Sequence, residues 1–130
     1  NTNSLNTYNL IDNNFLLTNF RIKNVNSSFL FNNALIVKNE INIDFYNIKN
    51  GNLFLRINIE DILNKVSKIT TVNILNNKIH IFFNNGKILI INKDLKLEDI
   101  IDLKIKKINK IFFYQEKIFI STLKGNTYIF

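Results

Sequence analysis

The sequence predicts an all-β chain of short antiparallel strands in repeats of about forty residues, and three observations lead there. Apolar residues, chiefly Ile and Phe, recur with period two in short runs, as half-buried strands require. Asn, Asp and Gly punctuate those runs where the chain must reverse. The chain also resembles itself at a shift of 39 positions, the separation of Lys78 from Lys117. With 130 residues, 46% hydrophobic and 21% charged, the composition is that of a folded domain rather than a disordered tail. No apolar run approaches the length of a membrane-spanning helix, and no leader-like pattern opens the sequence. The chain begins at Asn1 and contains no Met, so it is expected to be a piece of something longer.

Taken in order, the candidate strands are Leu5 to Ile11, Phe15 to Ile22, Ser28 to Phe31, Ala34 to Lys38, Ile41 to Tyr46, Leu53 to Ile57, Thr70 to Leu75, Lys78 to Phe83, Lys87 to Asn92, Ile100 to Ile105, Lys110 to Tyr114, Lys117 to Thr122 and Asn126 to Phe130. Glu60 to Val66 stands apart: Glu60 and Asp61 precede Ile62, Leu63 and Val66 at helical spacing, with Lys65 behind them. That charge order suits a helix dipole and predicts one short helical connection. Asn32-Asn33, Asn39-Glu40, Asn76-Asn77, Asn84-Asn85-Gly86, Gln115-Glu116 and Lys124-Gly125 each fall between two strands. They read as hairpin loops, because Asn and Gly tolerate the positive φ of tight reversals. A meander of antiparallel neighbours follows.

The shift of 39 lays Lys78-Ile79-His80-Ile81 on Lys117-Ile118-Phe119-Ile120, Gly86 on Gly125, and Ile90-Ile91 on Ile129-Phe130 without a gap. A shift of 44 lays Asn32 to Val37 on Asn76 to Ile81. Four short strands per unit of about forty residues is the signature of a propeller blade. The fold class predicted is therefore a partial β-propeller of about three four-stranded antiparallel blades. As one domain over 1–130, it divides into blades at 26–59, 68–106 and 107–130, with 1–23 ending a preceding blade. The last blade lacks its outer strand, an open edge that closed propellers complete with a strand from the other end of the chain. That closing strand is expected upstream of Asn1.

Asn, Ile and Lys make up half of the sequence and Lys far outnumbers Arg, a pattern expected from AT-rich codons. The net charge of +7 admits an anionic partner, nucleic acid or a membrane surface. Most lysines are scattered along strands, however, and only Lys104, Lys106, Lys107 and Lys110 cluster. Lysines that keep a strand edge from aggregating explain that cluster equally well. With no Cys, the chain holds no disulfide, thiolate metal site or thiol nucleophile. His80, the single histidine, lies between Ile79 and Ile81 and points to the opposite face, with no partner for acid-base or metal chemistry beside it. Asp94, Glu98, Asp99 and Asp102 lack the loop pattern of a calcium site and read as solvated loop charges. Phosphate-cradling Gly loops, nucleophile elbows and zinc-protease motifs are missing too. The sequence thus predicts no catalytic, cofactor-binding or metal-binding residues. Phe82-Phe83 and Ile111 to Tyr114 place aromatics on both faces of their strands, as burial between stacked blades demands.

Tyr46-Asn47-Ile48-Lys49-Asn50-Gly51-Asn52-Leu53-Phe54 resembles the quinoprotein-type (PQQ-like) propeller repeat. Asn47 stands at its Asp position, Asn50 at its Thr, Gly51 at its Gly, and Phe54 or Leu55 near its closing Trp. A second copy, Ile91 to Lys96, has lost the Gly. Among such proteins, Ser28 to Phe130 most resembles the carboxyl-terminal part of the BamB-type outer-membrane assembly lipoproteins of AT-rich alphaproteobacteria. That resemblance implies a non-enzymatic periplasmic scaffold, monomeric within a complex, that docks onto the barrel-inserting assembly protein and binds no nucleic acid. Its membrane tether would be a lipidated Cys upstream of this chain. Other quinoprotein propellers bind a pyrroloquinoline cofactor and calcium, and they offer a dehydrogenase as the alternative. Their sites need a stacking Trp and often paired Cys, and this chain has neither. A basic nucleic-acid or membrane-surface module is the third reading.

Overall fold

The computed structural model of the chain describes residues 4–6 and 21–130. It consists of strands and turns: thirteen strands are present among the described residues. Two compact units divide at Val66 and Ser67, and each is described separately. In the first unit, β1 (Ser4–Asn6) pairs antiparallel with β2 (Arg21–Lys23). The remainder of the two amino-terminal candidate strands lies outside the described residues. β3 (Ser27–Phe31), β4 (Ala34–Lys38), β5 (Asn42–Asn47) and β6 (Leu53–Asn58) form a four-stranded antiparallel meander. Ile22 packs on Leu35 and Val37, with Val25, Tyr46 and Ile48 around them.

The second unit holds another four-stranded meander, β7 (Ile69–Leu75), β8 (Lys78–Phe83), β9 (Lys87–Ile91) and β10 (Leu97–Asp102). A three-stranded one follows, made of β11 (Ile108–Tyr114), β12 (Lys117–Thr122) and β13 (Thr127–Ile129). Consecutive residues Ile81, Phe82 and Phe83 of β8, and Ile88 to Ile91 of β9, are buried, so both faces of these central strands are withdrawn from water. One face of this meander meets the other sheet. Phe82, Ile88 and Ile90 pack against Ile111, Phe113 and Ile118, and the Phe82 and Phe113 rings meet edge-on at 5.5 Å.

The internal repeat is physical. Asn76 and Asn77 take φ of 52° and 60°, and Gln115 and Glu116, 39 positions on, take 46° and 62°. The ladder slips between Ile69 and Thr71, and again between the equivalent Ile108 and Lys110. Gly86 and Gly125 have φ of 88° and 85°, and each donates its N–H over 3.0 Å to the residue three before it, Phe83 or Thr122. The two glycines close the same turn in successive sheets, which genuine duplication requires.

Three expectations need correction. The stretch Glu60 to Val66 is not helical: it is a run of turns in which Ile62 and Leu63 both donate to the Ile59 carbonyl. Leu63 is buried while Val66 is 77% exposed, so no apolar face exists to hold a helix there. The strand expected at Ile100 to Ile105 runs instead from Leu97 to Asp102. Asp102 Oδ1 accepts the Lys104 N–H at 2.9 Å and Lys104 turns to φ 59°, which takes the chain off the ladder. Glu98, Asp99 and Asp102 therefore lie on a strand, not in a loop. Finally, Phe82 and Phe83 are buried as expected, but Phe112 and Tyr114 stand half or more exposed on β11.

A Cβ added at Gly86 would overlap the Ile105 carbonyl oxygen, whereas nothing lies within 4 Å of one at Gly125. Gly125→Ala is therefore expected to cost about 1 kcal/mol, the penalty for a side chain at left-handed φ. Gly86→Ala should cost about 2 kcal/mol beyond that, as overpacking does. Urea denaturation of the two variants measures the difference.

Candidate functional site

A cluster of lysines lies in the second unit, where the link from β10 to β11 passes the β12–β13 hairpin. Ile105 and Ile108 anchor the link by packing with Ile120 in an apolar cluster. The lysines beside these anchors are left in solvent. Lys104, Lys106 and Lys107 line one side of a concavity of about 320 Å³; Thr122, Lys124, Asn126 and Tyr128 line the other. Backbone geometry fixes the arrangement: Lys104 and Lys107 have φ of 59° and 58°, and the Lys107 carbonyl accepts the Leu123 N–H at 2.9 Å. Asp102 pairs with the Lys104 ammonium at 3.0 Å. The Lys104 backbone N–H, then its ammonium, hold the Asp102 carboxyl below the usual range. The cleft presents a basic, open surface suited to carboxylate or phosphate oxygens.

Only part of this was legible. The cluster Lys104, Lys106 and Lys107 is brought together as its spacing suggests, but Lys110 lies on β11 opposite Ser121 and does not line the cleft. Lys124, 17 residues beyond Lys107, joins through the fold alone. His80 is half-buried, with Nδ1 3.2 Å from the Lys78 carbonyl oxygen and its ring beside Phe82. Glu98 pairs with Lys78, and Asp94 sits in the β9–β10 turn. Among the described residues, no group of three or more His, Asp or Glu is placed to hold a metal ion.

The first unit carries two polar features that the sequence reading passed over. Asp44 is buried on β5, and Arg56 faces it from β6, donating Nε to Oδ1 at 2.7 Å and Nη2 to Oδ2 at 2.9 Å. The Tyr46 hydroxyl donates to the same carboxylate at 3.3 Å. Burial, and then the Asp44 charge, push the Tyr46 hydroxyl above its ordinary pKa, while the carboxylate raises that of the Arg56 guanidinium. The signal for the pair was an Asp between Ile43 and Phe45 with an Arg twelve residues on, across the Gly51 turn. Lys38 is wholly buried at the end of β4, where its ammonium donates to the carbonyls of Lys65 at 3.1 Å and Asn39 at 3.2 Å. The Asn26 side-chain amide donates to the same Lys65 carbonyl. Together they pin the turns that close the first unit. Nothing in the local sequence marks Lys38 except the apolar run before it.

The quinoprotein-like turn takes the form its residues suggest. Asn47 Oδ1 accepts the Lys49 N–H at 2.8 Å, Gly51 donates to the Asn47 carbonyl at 2.8 Å, and Gly51 has φ 74°. At the second copy Asn92 plays the part of Asn47, taking the N–H groups of Asp94 and Lys96 on Oδ1. Leu95 supplies the left-handed residue there, at φ 59°. Phe54 leans edge-on against Phe45 and remains 48% exposed.

Antiparallel meanders of four, four and three strands, the last two with matching turns, define a partial β-propeller. Solved propellers agree. The chain is similar to BamB from Moraxella catarrhalis, with a TM-score of 0.55 and 12% identity over 78% of this chain and 30% of that one. It is also similar to Hsv2 of Kluyveromyces lactis, with a TM-score of 0.51 and 18% identity over 82% and 32%. The chain thus spans about a third of the length of these structures. No family model and no curated protein matches the sequence.

Lys38 yields a pH test. Burial lowers its amine from the ordinary 10.5, against a weaker opposing pull from Glu40. Between the lowered value and 10.5, the unfolded chain holds a proton that the folded chain does not. Stability therefore rises with pH through that window. Tyr46, raised above its ordinary 10.0, acts oppositely beyond that pH. The difference in urea stability between the native chain and Lys38→Met, followed from about pH 8 to about pH 10.5, isolates the lysine. The rise should vanish in the variant. For the ion pair, Arg56→Met leaves the buried Asp44 carboxylate short of its main partner, so Asp44→Asn combined with Arg56→Met should lose less stability than the two single losses added. A double-mutant cycle reads this coupling.

Proposed function

We propose that this chain is part of a non-enzymatic β-propeller scaffold that serves protein–protein interaction in outer-membrane barrel assembly, on the periplasmic side of that membrane. The observation carrying this reading is the fold likeness to BamB, combined with the repeat turn at Asn47 to Gly51 on which the sequence resemblance rests. The mechanism is rigid presentation of turns. Asn39, Asn50, Asn58 and Asn85 each take the backbone N–H two residues on with their own side-chain oxygen, as Asn47 and Asn92 do. Such bonds reduce the conformations open to a turn before a partner arrives, which lowers the entropy lost on docking. The scaffold works as one copy within a larger complex, tethered by a lipid anchor on a longer form of the chain.

The basic cleft favours a second reading, an anionic polymer or surface as partner. Salt separates the two. Purified chain mixed with the periplasmic part of a barrel-inserting assembly protein should form a one-to-one complex in analytical ultracentrifugation. Its affinity should fall less than about tenfold between 50 and 200 mM salt, whereas multiple phosphate contacts lose about a thousandfold or more. Absence of that complex, together with steeply salt-dependent binding to duplex oligonucleotide or anionic vesicles, would replace the scaffold reading with the second.

A further inference from the structure

The two four-stranded meanders carry different chemistry in the same rows of the sheet. In the second, Ile81 of β8 stands opposite Leu89 of β9, and Leu89 opposite Ile100 of β10. The same row in the first reads Val37, Asp44 and Arg56. The next row pairs Ile91 with Leu97 in the second meander and Tyr46 with Leu53 in the first. Such a sheet thus closes with apolar residues alone, and the first meander has put a buried carboxylate, its guanidinium and a phenol in their place. Stability does not ask for that exchange, because a buried ion pair holds a fold no better than the apolar pair that could replace it. Arg56 is meanwhile 53% exposed while Asp44 beneath it is buried. Its Nε and Nη2 are spent on Asp44, so the guanidinium is held in one orientation and the rest of its fork is turned to solvent. Leu53 lies on the same face, opposite Tyr46, and is 42% exposed. On that face Ile22 already covers Leu35 and Val37, which leaves the outer strand β6 to a partner. The choice of residue points the same way: Lys outnumbers Arg 15 to 2 in this chain, and a position wanting charge alone would carry Lys.

We infer that Arg56, held by Asp44 and flanked by Tyr46 and Leu53, is a docking residue that receives an aspartate or glutamate of a partner protein, with an apolar side chain of that partner laid over Leu53. This rests on the scaffold reading and gives it a contact. The planar fork matches a second carboxylate as it matches Asp44, and because Asp44 has already fixed it, little rotamer freedom is lost on docking. Arg and Tyr are also the residues on which interface energy concentrates. A phosphate polymer or surface fits less well, since Arg56 is the only charged residue on β6. A second copy is disfavoured, since each carries +7.

The test combines Asp44→Leu with Arg56→Ile, which writes the second meander's own pair into the first. Its urea midpoint should equal or exceed that of the native chain, while its affinity for the periplasmic part of a barrel-inserting assembly protein should fall about tenfold or more. A structural pair would show no such split. Asp44→Asn combined with Arg56→Lys places a primary amine there without an internal carboxylate to compete. Carbodiimide should then join position 56 to an Asp or Glu of the assembly protein, an amide that mass spectrometry locates. The unaltered chain gives a readout that needs no variant to fold: labelled with nitrogen-15 arginine it has two guanidinium signals, from Arg21 and Arg56, and that of Arg56 should move when the assembly protein is added. Native affinity in the folded Asp44→Leu, Arg56→Ile chain overturns the inference, as does an unmoved Arg56 signal or an amide formed only with the chain's own carboxylates. So does a dimer of this chain that the double substitution dissociates, or binding to anionic vesicles that it abolishes while the protein complex persists. In those cases the docking residue is wrong and the scaffold stands. If the unaltered chain forms no complex with the assembly protein, the scaffold reading falls and takes this contact with it.

Discussion

The second unit depends on one close approach of main chain to main chain, the Ile105 carbonyl against Gly86. The turn can be entered only with φ near 88°, and it can be crossed only where no Cβ projects. Once crossed, Leu103 and Ile108 donate to the carbonyls of Gly86 and Asn84, so the link is fixed at both ends by backbone bonds. That fixation delivers Ile111, Phe113 and Ile118 onto Phe82, Ile88 and Ile90, and it leaves Lys104, Lys106 and Lys107 facing water. Apolar packing, the basic cleft and the orientation of the third sheet all follow from a single glycine. Dispersion and burial then hold what the backbone has placed.

How much of this could be read in advance varied with the physics involved. The strands β7 to β9 and β11 to β12 announce themselves, because period-two Ile and Phe between Asn and Gly turns have few other solutions. The glycines at 86 and 125 carried the duplication through a sequence dominated by three residue types, since each sits where the backbone admits little else. β10 was misplaced because Leu103 and Ile105 look like strand residues, yet they serve as anchors of the link after Asp102 has turned the chain away. The stretch from Glu60 fails as a helix for a related reason: spacing alone promised a face, and only Leu63 found a core.

Polar structure was least visible. A buried Lys38 follows an apolar run with no warning, and its acceptors are backbone carbonyls, which no side-chain pattern reveals. The Asp44–Arg56 pair depends on the register of β5 against β6, which a bulge between Phe45 and Tyr46 shifts. The cleft needs Lys124 to meet Lys107 across a hairpin. Each is a tertiary consequence of pairing, and pairing is settled by turns. In this chain the turns are mostly Asn, whose side-chain oxygen closes them locally. A compositional bias toward Asn is thus put to structural use.

Those same turns bear on how the chain ages. Asn50-Gly51 and Asn85-Gly86 are Asn-Gly pairs, the dipeptide in which the glycine nitrogen most readily attacks the preceding side-chain amide to form a succinimide. In the folded chain both nitrogens are engaged, Gly51 with the Asn47 carbonyl at 2.8 Å and Gly86 with that of Phe83 at 3.0 Å. Cyclisation must therefore await opening of the turn, so deamidation becomes a slow clock of local unfolding. Its product at 85 would be an aspartate or isoaspartate beside the one glycine that the second unit cannot replace.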